Sequence, residues 1–172
     1  QYSAQGRYDA EITTDIVAEP RNRVKVEIVI DEGKPAKIRN INIVGNEIFS
    51  DAELRGLMEL KDRGWRNIFG GKKKYSREKL SGDLEQINDY YLDRGYIRFR
   101  ISSAQVSVGP KKDSVYINIV VEEGEQYTVD ALELAGDVKE QAPILERSYL
   151  LRKGTTFSQS LVTSTEELMK RV

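Results

Sequence analysis

The chain has 172 residues, and its 27 Lys and Arg residues against 28 Asp and Glu residues leave a formal net charge of −1. That length suffices for one ordinary domain or two small ones, and the charge balance argues against a general nucleic-acid binder, which carries a basic excess. The sequence has no cysteine and no histidine, which excludes disulfides, zinc fingers, iron–sulfur clusters and Ser–His or Cys–His catalytic pairs.

The first predicted elements are a β-hairpin and a strand. The hairpin is expected at about residues 8–31, and its apolar face is formed by Ala10, Ile12, Val26 and Ile28. The segment 36–44 predicts a strand, because apolar residues alternate with polar ones until Gly45-Asn46 interrupts the pattern.

Two helices are predicted next. Ser50 and Glu53 have the spacing of a capping box, and we expect the helix that follows to end near Gly64. A second helix is expected to begin at Ser76 and to end at Gly95. Its apolar residues recur at the spacing of one helical face, at Leu80, Leu84, Ile87 and Tyr91.

Two strands complete this series of elements. In the first, Ile97, Phe99 and Ile101 alternate with Arg98 and Arg100, which predicts one buried and one wet face. The apolar positions then shift to Ala104, Val106 and Val108, which predicts a β-bulge near residues 102–103. After a turn at 109–113, the segment 115–121 alternates as the partner strand.

The sequence contains an internal repeat in which scattered residues match. Tyr2, Gly6 and Ile12 align with Tyr91, Gly95 and Ile101, and the strand-ending Gly45-Asn46 aligns with Gly136-Asp137. In the helical parts, Leu54 and Leu60 align with Leu145 and Leu151, and Tyr75 aligns with Phe157. We therefore expect the hairpin end of one unit at 1–33, a complete unit at 34–124, and a strand with two helices of the next unit at 125–172.

Each unit has the order β-α-α-β-β, which predicts an α+β fold with two antiparallel helices on one face of a three-stranded sheet. The strings NINIVGN, KLSGDLEQINDYYLDRGY and VVEEGEQYTV resemble POTRA domains of outer-membrane assembly proteins of Gram-negative bacteria. The resemblance covers nearly the whole chain, as the end of a second, all of a third and the start of a fourth POTRA domain. It implies a mixed sheet of order 1-3-2, with the strand at 96–108 on its edge.

The resemblance also implies a function. POTRA domains lie in the periplasm and receive unfolded outer-membrane proteins, and they bind accessory lipoproteins. The family is tethered to the membrane through a β-barrel that lies outside this chain. The expected role is a scaffold for outer-membrane protein assembly, without enzymatic activity, cofactor, metal or nucleic-acid partner.

The predicted interaction site is the edge strand, which can pair with an extended segment of a client through main-chain hydrogen bonds. Its residues are Tyr96, Arg98, Arg100, Ser102, Val106 and Val108. The alternative is a solvent-exposed edge that the arginines and the bulge protect. In the family a propeller-type lipoprotein docks at the segment matching 102–108, and Ser102 stands where the family carries an acidic residue.

A second candidate contact is the loop between the two helices, at 62–74. It contains Trp65, Phe69, Lys72, Lys73 and Lys74, and the apolar members are expected to cover a helix end. The lysines are expected to form a solvated run, with contact to a client chain or anionic lipid as the alternative.

Sequence motifs of other functions are absent or incomplete. The segment ending at Gly71-Lys72 has Arg66 where a Walker A loop needs glycine, and Lys73 where it needs Ser or Thr. A KH-like RNA-binding module is the alternative from another class, since it also has a β-α-α-β core. The 62–74 loop, however, lacks the Gly-x-x-Gly signature of that module.

The two incomplete end units have complementary apolar faces. The hairpin face described above corresponds to the part that the 125–172 segment lacks, and that segment exposes Leu132, Leu134, Leu145, Tyr149 and Val162. We therefore expect the chain to self-associate through its end units.

Overall fold

The computed structural model describes residues 2–62, 74–136, 142–147 and 149–171. In chain order, the helices and strands are β1 (Glu11–Glu19), β2 (Arg23–Asp31), β3 (Lys37–Val44), α1 (Asp51–Leu57), α2 (Arg77–Leu92), β4 (Arg100–Val108), β5 (Ser114–Glu122), α3 (Ala142–Arg147) and α4 (Gln159–Met169). A short 3₁₀ turn at Tyr2–Gln5 precedes them.

The strands form two sheets. β1 and β2 pair as an antiparallel hairpin, and the second sheet has the order β3-β5-β4. This second sheet is mixed, so the predicted α+β fold with strand order 1-3-2 is confirmed. The order places β4 at an edge, next to β5 alone among the described strands.

The chain forms two compact units, each with its own buried residues. One unit comprises Gln1–Asn42, Glu59–Asp83 and Ala104–Asn118, and the other comprises Ile43–Met58, Leu84–Ser103 and Ile119–Val172. The core of the first unit contains Ala36, Ile38, Ile41, Leu60, Leu80, Val115 and Ile117. The core of the second contains Ile43, Leu54, Met58, Ile87, Tyr91, Ile119 and Val121.

Helix α1 begins as predicted but ends early. Ser50 is its N-cap, and the Ser50 hydroxyl accepts a hydrogen bond from the Glu53 amide at 3.3 Å. The predicted end at Gly64 is wrong, because the helix stops at Leu57. The amides of Glu59 and Leu60 donate instead to the carboxylate of Asp83, so they are not available to extend the helix.

The start of each repeat is held by the same pair of main-chain hydrogen bonds. The Ala36 amide donates to Gly6 at 2.8 Å and the Tyr127 amide donates to Gly95, also at 2.8 Å. The bonds that complete each pair run from Tyr75 to Ala36 and from Phe157 to Tyr127. These contacts occur at positions that the sequence repeat aligns. We call each pair of hydrogen bonds a clamp, and the two clamps are formed by equivalent positions of the repeat.

The segment after Tyr127 differs from its prediction. The sequence predicts a strand there, but the described residues 127–136 hold only an isolated bridge, between Thr128 and Thr156. The two helices expected to follow are present as α3 and α4. A strand needs a neighbour in a ladder, and among the described residues this segment pairs only at the bridge.

Gly95 is required at its clamp for two reasons, which gives a testable prediction. Its φ of +89° is left-handed, and an added Cβ would lie 2.7 Å from the Tyr127 carbonyl oxygen. Gly154 has a similar φ of +84° but open space around it. We expect Gly95→Ala to lower the free energy of unfolding by about 1 kcal/mol more than Gly154→Ala, measured by urea denaturation. Equal losses would show that the close approach to Tyr127 carries no cost.

Candidate interaction surface

The sequence of β4 leaves most of the sheet edge without the usual protection. Natural sheets guard an exposed edge with lysine or other charged residues, proline or a covering segment. After Arg100, the remaining residues of β4 are ISSAQVSV, which contain no charge and no proline. The protected part of this edge is therefore limited to the first residues of the strand.

That protected part is a cluster of three side chains on β4 and β5. The Arg100 Nε atom donates to the Glu122 carboxylate at 2.8 Å, and the Ser102 hydroxyl donates to the other oxygen of the same carboxylate at 2.5 Å. The Ser102 hydrogen bond and, next, the Arg100 hydrogen bond hold the pKa of Glu122 below its usual range. Arg100 and Ser102 are thus engaged within the sheet, on its exposed face.

The second half of β4 presents a different surface. Ala104, Gln105, Ser107 and Val108 are exposed, whereas Val106 is half-buried. The Gly109 amide donates to the Ser114 carbonyl at 2.9 Å, so the backbone amide of residue 109 points towards the partner strand β5. Because successive residues alternate in the direction of their backbone groups, the amides of Val108 and Val106 face away from β5, into the open edge.

The opposite edge of the sheet is occupied where it begins. The backbone groups of Ala36, just before β3, are used by the Gly6 carbonyl and the Tyr75 amide. Lys37 then forms an isolated antiparallel bridge with Lys74. The start of the β3 edge is therefore paired within the chain, whereas β4 pairs with β5 alone among the described strands.

Two of the predicted edge residues lie outside the strand. Tyr96 completes a Schellman motif at the end of α2, because its amide donates to Tyr91 while the Gly95 amide donates to Leu92. Its buried ring packs against Tyr91 with the ring centroids 5.8 Å apart. A turn closed by a hydrogen bond from Phe99 to Tyr96 follows, so β4 begins at Arg100.

Arg98 lies in this turn, and its guanidinium group lies 5.6 Å from the ring centre of Tyr127. The expected alternation is wrong at Ile97, which is exposed, whereas Phe99 is buried and Arg98 is exposed as expected. Further along the strand, the half-buried positions shift from Ile101 and Ser103 to Val106. The change of parity falls one or two residues after the predicted bulge.

The loop between α1 and α2 is described only in part. Trp65, Phe69, Lys72 and Lys73 lie outside the described residues. Lys74 is exposed, and it pairs with Lys37 through the bridge that occupies the start of the β3 edge.

A buried carboxylate behind the edge was missed by the sequence analysis. Glu123 directly follows β5 and is buried, and it accepts hydrogen bonds from the Tyr91 hydroxyl at 2.6 Å and from the Glu47 amide at 2.8 Å. A third donor is the Ile48 amide at 3.1 Å. Burial and, next, the bond to Glu123 raise the pKa of Tyr91. Glu122 and Glu123 thus face opposite sides, one towards the edge cluster and one into the core.

The described residues show neither a metal-binding cluster nor a membrane-spanning helix. Within them, no group of three or more acidic side chains is arranged to hold an ion. None of the described helices is long and apolar enough to cross a bilayer.

A sheet of order β3-β5-β4 with two helices between β3 and β4, built as a repeated unit, defines the class of protein. The POTRA family model, described as a surface antigen variable number repeat, matches residues 36–124, and the chain belongs to this family. The match supports the POTRA interpretation of the sequence over the KH-like one.

The individual relatives are outer-membrane assembly factors. The chain is 30% identical to the outer membrane protein assembly factor BamA of Neisseria meningitidis over 95% of its own length and 21% of that protein. It is 32% identical to BamA of Buchnera aphidicola, over 77% of its length and 22% of that protein. The chain therefore spans about a fifth of the length of these relatives.

A solved structure has the same fold. The crystal structure of POTRA domains 3–5 of Haemophilus influenzae BamA superimposes with a TM-score of 0.66 at 30% sequence identity. The match covers 80% of this chain and 54% of that chain.

Proposed function

We propose that the chain is a periplasmic scaffold in the assembly and insertion of outer-membrane β-barrel proteins, and that β4 receives extended client segments by β-augmentation. The observation that carries this proposal is the open edge of β4, uncharged from Ile101 to Val108. The names of the relatives, outer membrane protein assembly factors, support the same role.

Augmentation suits clients of many sequences because the main chain supplies the contacts. A client strand alongside residues 104–108 would pair with the outward amides of Val106 and Val108 and with the carbonyl groups beside them. Each such bond is worth about 0.5 to 1.5 kcal/mol net, and ordering the client strand offsets part of the sum. The resulting affinity is weak, which permits release of the client to the next step.

An accessory lipoprotein is the second proposed partner, at the same hairpin. Val106 and Val108 supply apolar contacts there, whereas the Ser102 hydroxyl is already bonded to Glu122. We therefore propose a contact without an ion pair from position 102, in which the lipoprotein and a client strand compete for one edge.

The main test uses a peptide whose side chains stay constant while its backbone donors are removed. A ten-residue peptide with alternating apolar and polar residues is titrated into ¹⁵N-labelled protein. We expect the largest shifts at the amides of Val106 and Val108. N-methylation of the central peptide bonds should weaken binding at least tenfold, or about 1.4 kcal/mol, while a shuffled peptide that keeps the alternation should bind as before. Equal affinity of the methylated peptide would rule out augmentation.

A charged substitution gives an independent check on the protein side. Ala104→Lys places a lysine on the open edge, as natural sheets do to block pairing, and it should weaken peptide binding about tenfold. Ser81→Lys adds the same charge on an exposed position of α2 and should leave the affinity unchanged. The same loss in both variants would indicate a general charge effect rather than a blocked edge.

A further inference from the structure

The face of the β3-β5-β4 sheet that points away from the core carries amide side chains on two neighbouring strands. In β5, Tyr116 is 47% exposed and Asn118 is half-buried, on either side of the buried Ile117. In β3, Asn42 is exposed and directly follows the buried Ile41. Asparagine is depleted in strands, so strand formation does not account for these two amides.

The two asparagines form a pair. Asn42 Nδ2 donates to Asn118 Oδ1 at 2.7 Å. An amide side chain has two N–H donors and an oxygen with two lone pairs, so this bond leaves the Asn42 oxygen and the Asn118 nitrogen for other partners. The pair therefore presents an acceptor and a donor side by side on the surface of the sheet.

Strand β4 continues this surface. The Gly109 amide bonds to the Ser114 carbonyl, and counting back along the antiparallel pair places Ser107 beside Tyr116. Gln105 lies one step further, beside Asn118, and both β4 residues are exposed. We call the following set the amide face, and all its members are uncharged and belong to the first compact unit: Asn42, Gln105, Ser107, Tyr116 and Asn118. It is about 10 Å wide across three strands, and its two rows lie about 7 Å apart.

The sequence repeat shows that the fold does not require an uncharged surface here. Tyr116 and Asn118 align with Lys25 and Glu27 of β2, which form an ion pair at 3.6 Å. Opposite charges of this kind are typical of a solvated strand face. The Lys25–Glu27 side of the hairpin is opposite its apolar side, so the comparison does not depend on what covers the apolar side. The phenol and the amide of β5 are thus particular to the complete unit.

The chemistry of the amide face is complementary to a neutral, polyhydroxylated ligand. Phosphates and carboxylates are bound by arginine or lysine, and the amide face contains neither. Sugar hydroxyls both donate and accept hydrogen bonds, as the Asn42–Asn118 pair does. The exposed ring of Tyr116, two residues along β5, supplies an apolar platform next to this pair.

We propose that the amide face binds an extended, uncharged oligosaccharide, with one sugar ring stacked on Tyr116 and the hydroxyls of the next bonded to Asn42 and Asn118. An open, flat face encloses little of its ligand, so the expected dissociation constant is about 1 mM. The contacts are made by side chains on the sheet face, whereas the proposed client strand uses the backbone edge of β4. Neither proposal therefore depends on the other.

The main measurement is an NMR titration of the intact ¹⁵N-labelled chain with cellotetraose, an extended and uncharged tetrasaccharide, up to about 10 mM. We expect saturable shifts of the side-chain amide signals of Asn42 and Asn118 and of the backbone amide of Tyr116. If none of these signals shifts in this range, the proposal is wrong. If the same signals shift when the free protein is diluted from about 500 µM to about 50 µM, the face joins two copies of the chain, which would also overturn it.

Matched variants test which side chains bind the saccharide. Asn118→Asp replaces the amide nitrogen by a charged oxygen at nearly unchanged size, and it should weaken cellotetraose binding at least tenfold. Gln86→Glu makes the same amide-to-carboxylate change at an exposed position of α2 and should leave the affinity unchanged. The double variant Tyr116→Lys, Asn118→Glu installs the pair that Lys25 and Glu27 form in the hairpin, so we expect it to fold and to show no binding. Wild-type affinity in this double variant would show that the saccharide binds elsewhere.

Discussion

Replacing Glu123 by alanine is expected to lower the free energy of unfolding by about 2 to 4 kcal/mol. The Glu123 carboxylate accepts from the Tyr91 hydroxyl, the Glu47 amide and the Ile48 amide. Alanine leaves all three donors without this acceptor. The Tyr91 hydroxyl is buried, and an unsatisfied buried donor costs about 1 to 3 kcal/mol, whereas Glu47 and Ile48 are exposed residues whose amides cost less.

Two other variants serve as the comparison and the control for Glu123→Ala. Glu123→Gln keeps one oxygen acceptor but removes the charge, so we expect a smaller loss of about 1 to 2 kcal/mol. Glu125→Ala, at an exposed position two residues away, should change the free energy of unfolding by less than about 0.5 kcal/mol. Urea denaturation followed by circular dichroism measures all three. A loss below about 1 kcal/mol for Glu123→Ala would mean that the loop after β3 finds other acceptors.

The position of Glu123 connects stability with the proposed function. It directly follows Glu122, whose carboxylate engages Arg100 and Ser102 at the start of the β4 edge. Fixing Glu123 in the core therefore also fixes the end of β5 against which that edge cluster is formed. We expect the Glu123→Gln variant, which stays folded, to retain peptide binding at residues 104–108, because these lie beyond the cluster.

Features that depend on residues near in sequence were predictable. The Ser50 cap, the apolar face of α2 with Ile87 and Tyr91, and the Schellman motif at Gly95 that follows α2 each follow from a local pattern that the fold does not override. The strand order followed from the POTRA resemblance rather than from periodicity.

Features set by distant partners were not predictable in this way. In the sequence the apolar alternation extends back to Ile97. Tyr96, however, belongs to the Schellman motif after α2, and Arg98 lies in the turn that follows it, so neither is part of β4. Helix α1 ends before Gly64 because Asp83, on another helix, takes its next amides. Asp83 lies between Leu80 and Leu84 in the apolar stripe of α2, and a carboxylate there was the one local signal of a buried acceptor.

The second large effect is expected at Asp83. Asp83 is 1% exposed, and its carboxylate accepts hydrogen bonds from the Glu59 and Leu60 amides. Asp83→Ala leaves both amides without this acceptor, and we expect the free energy of unfolding to fall by about 2 to 4 kcal/mol. Asp83→Asn retains an oxygen acceptor, so it should cost less than half as much. Chemical denaturation at neutral pH checks both values.

The pH dependence of this pair of variants is a sharper measurement, because burial fixes its sign. Burial raises the pKa of Asp83 above its usual value, although the amides of Glu59 and Leu60 act to lower it. The folded protein therefore binds this proton more tightly than the unfolded chain. The resulting stability is fully present below the unfolded pKa of about 3.9 and is lost as the pH rises through the folded value.

Asparagine at position 83 does not titrate, so the comparison isolates this one group. We expect the unfolding free energy of Asp83→Asn to increase relative to that of wild type as the pH rises from about 3 to about 6, since only wild type loses the bound proton. An opposite slope would mean that the two amide hydrogen bonds outweigh burial and that Asp83 is held ionised in the fold. In that case the ionised Asp83 carboxylate would hold the end of α1. Asp83→Asn would then lower the free energy of unfolding more at neutral pH than at about pH 3.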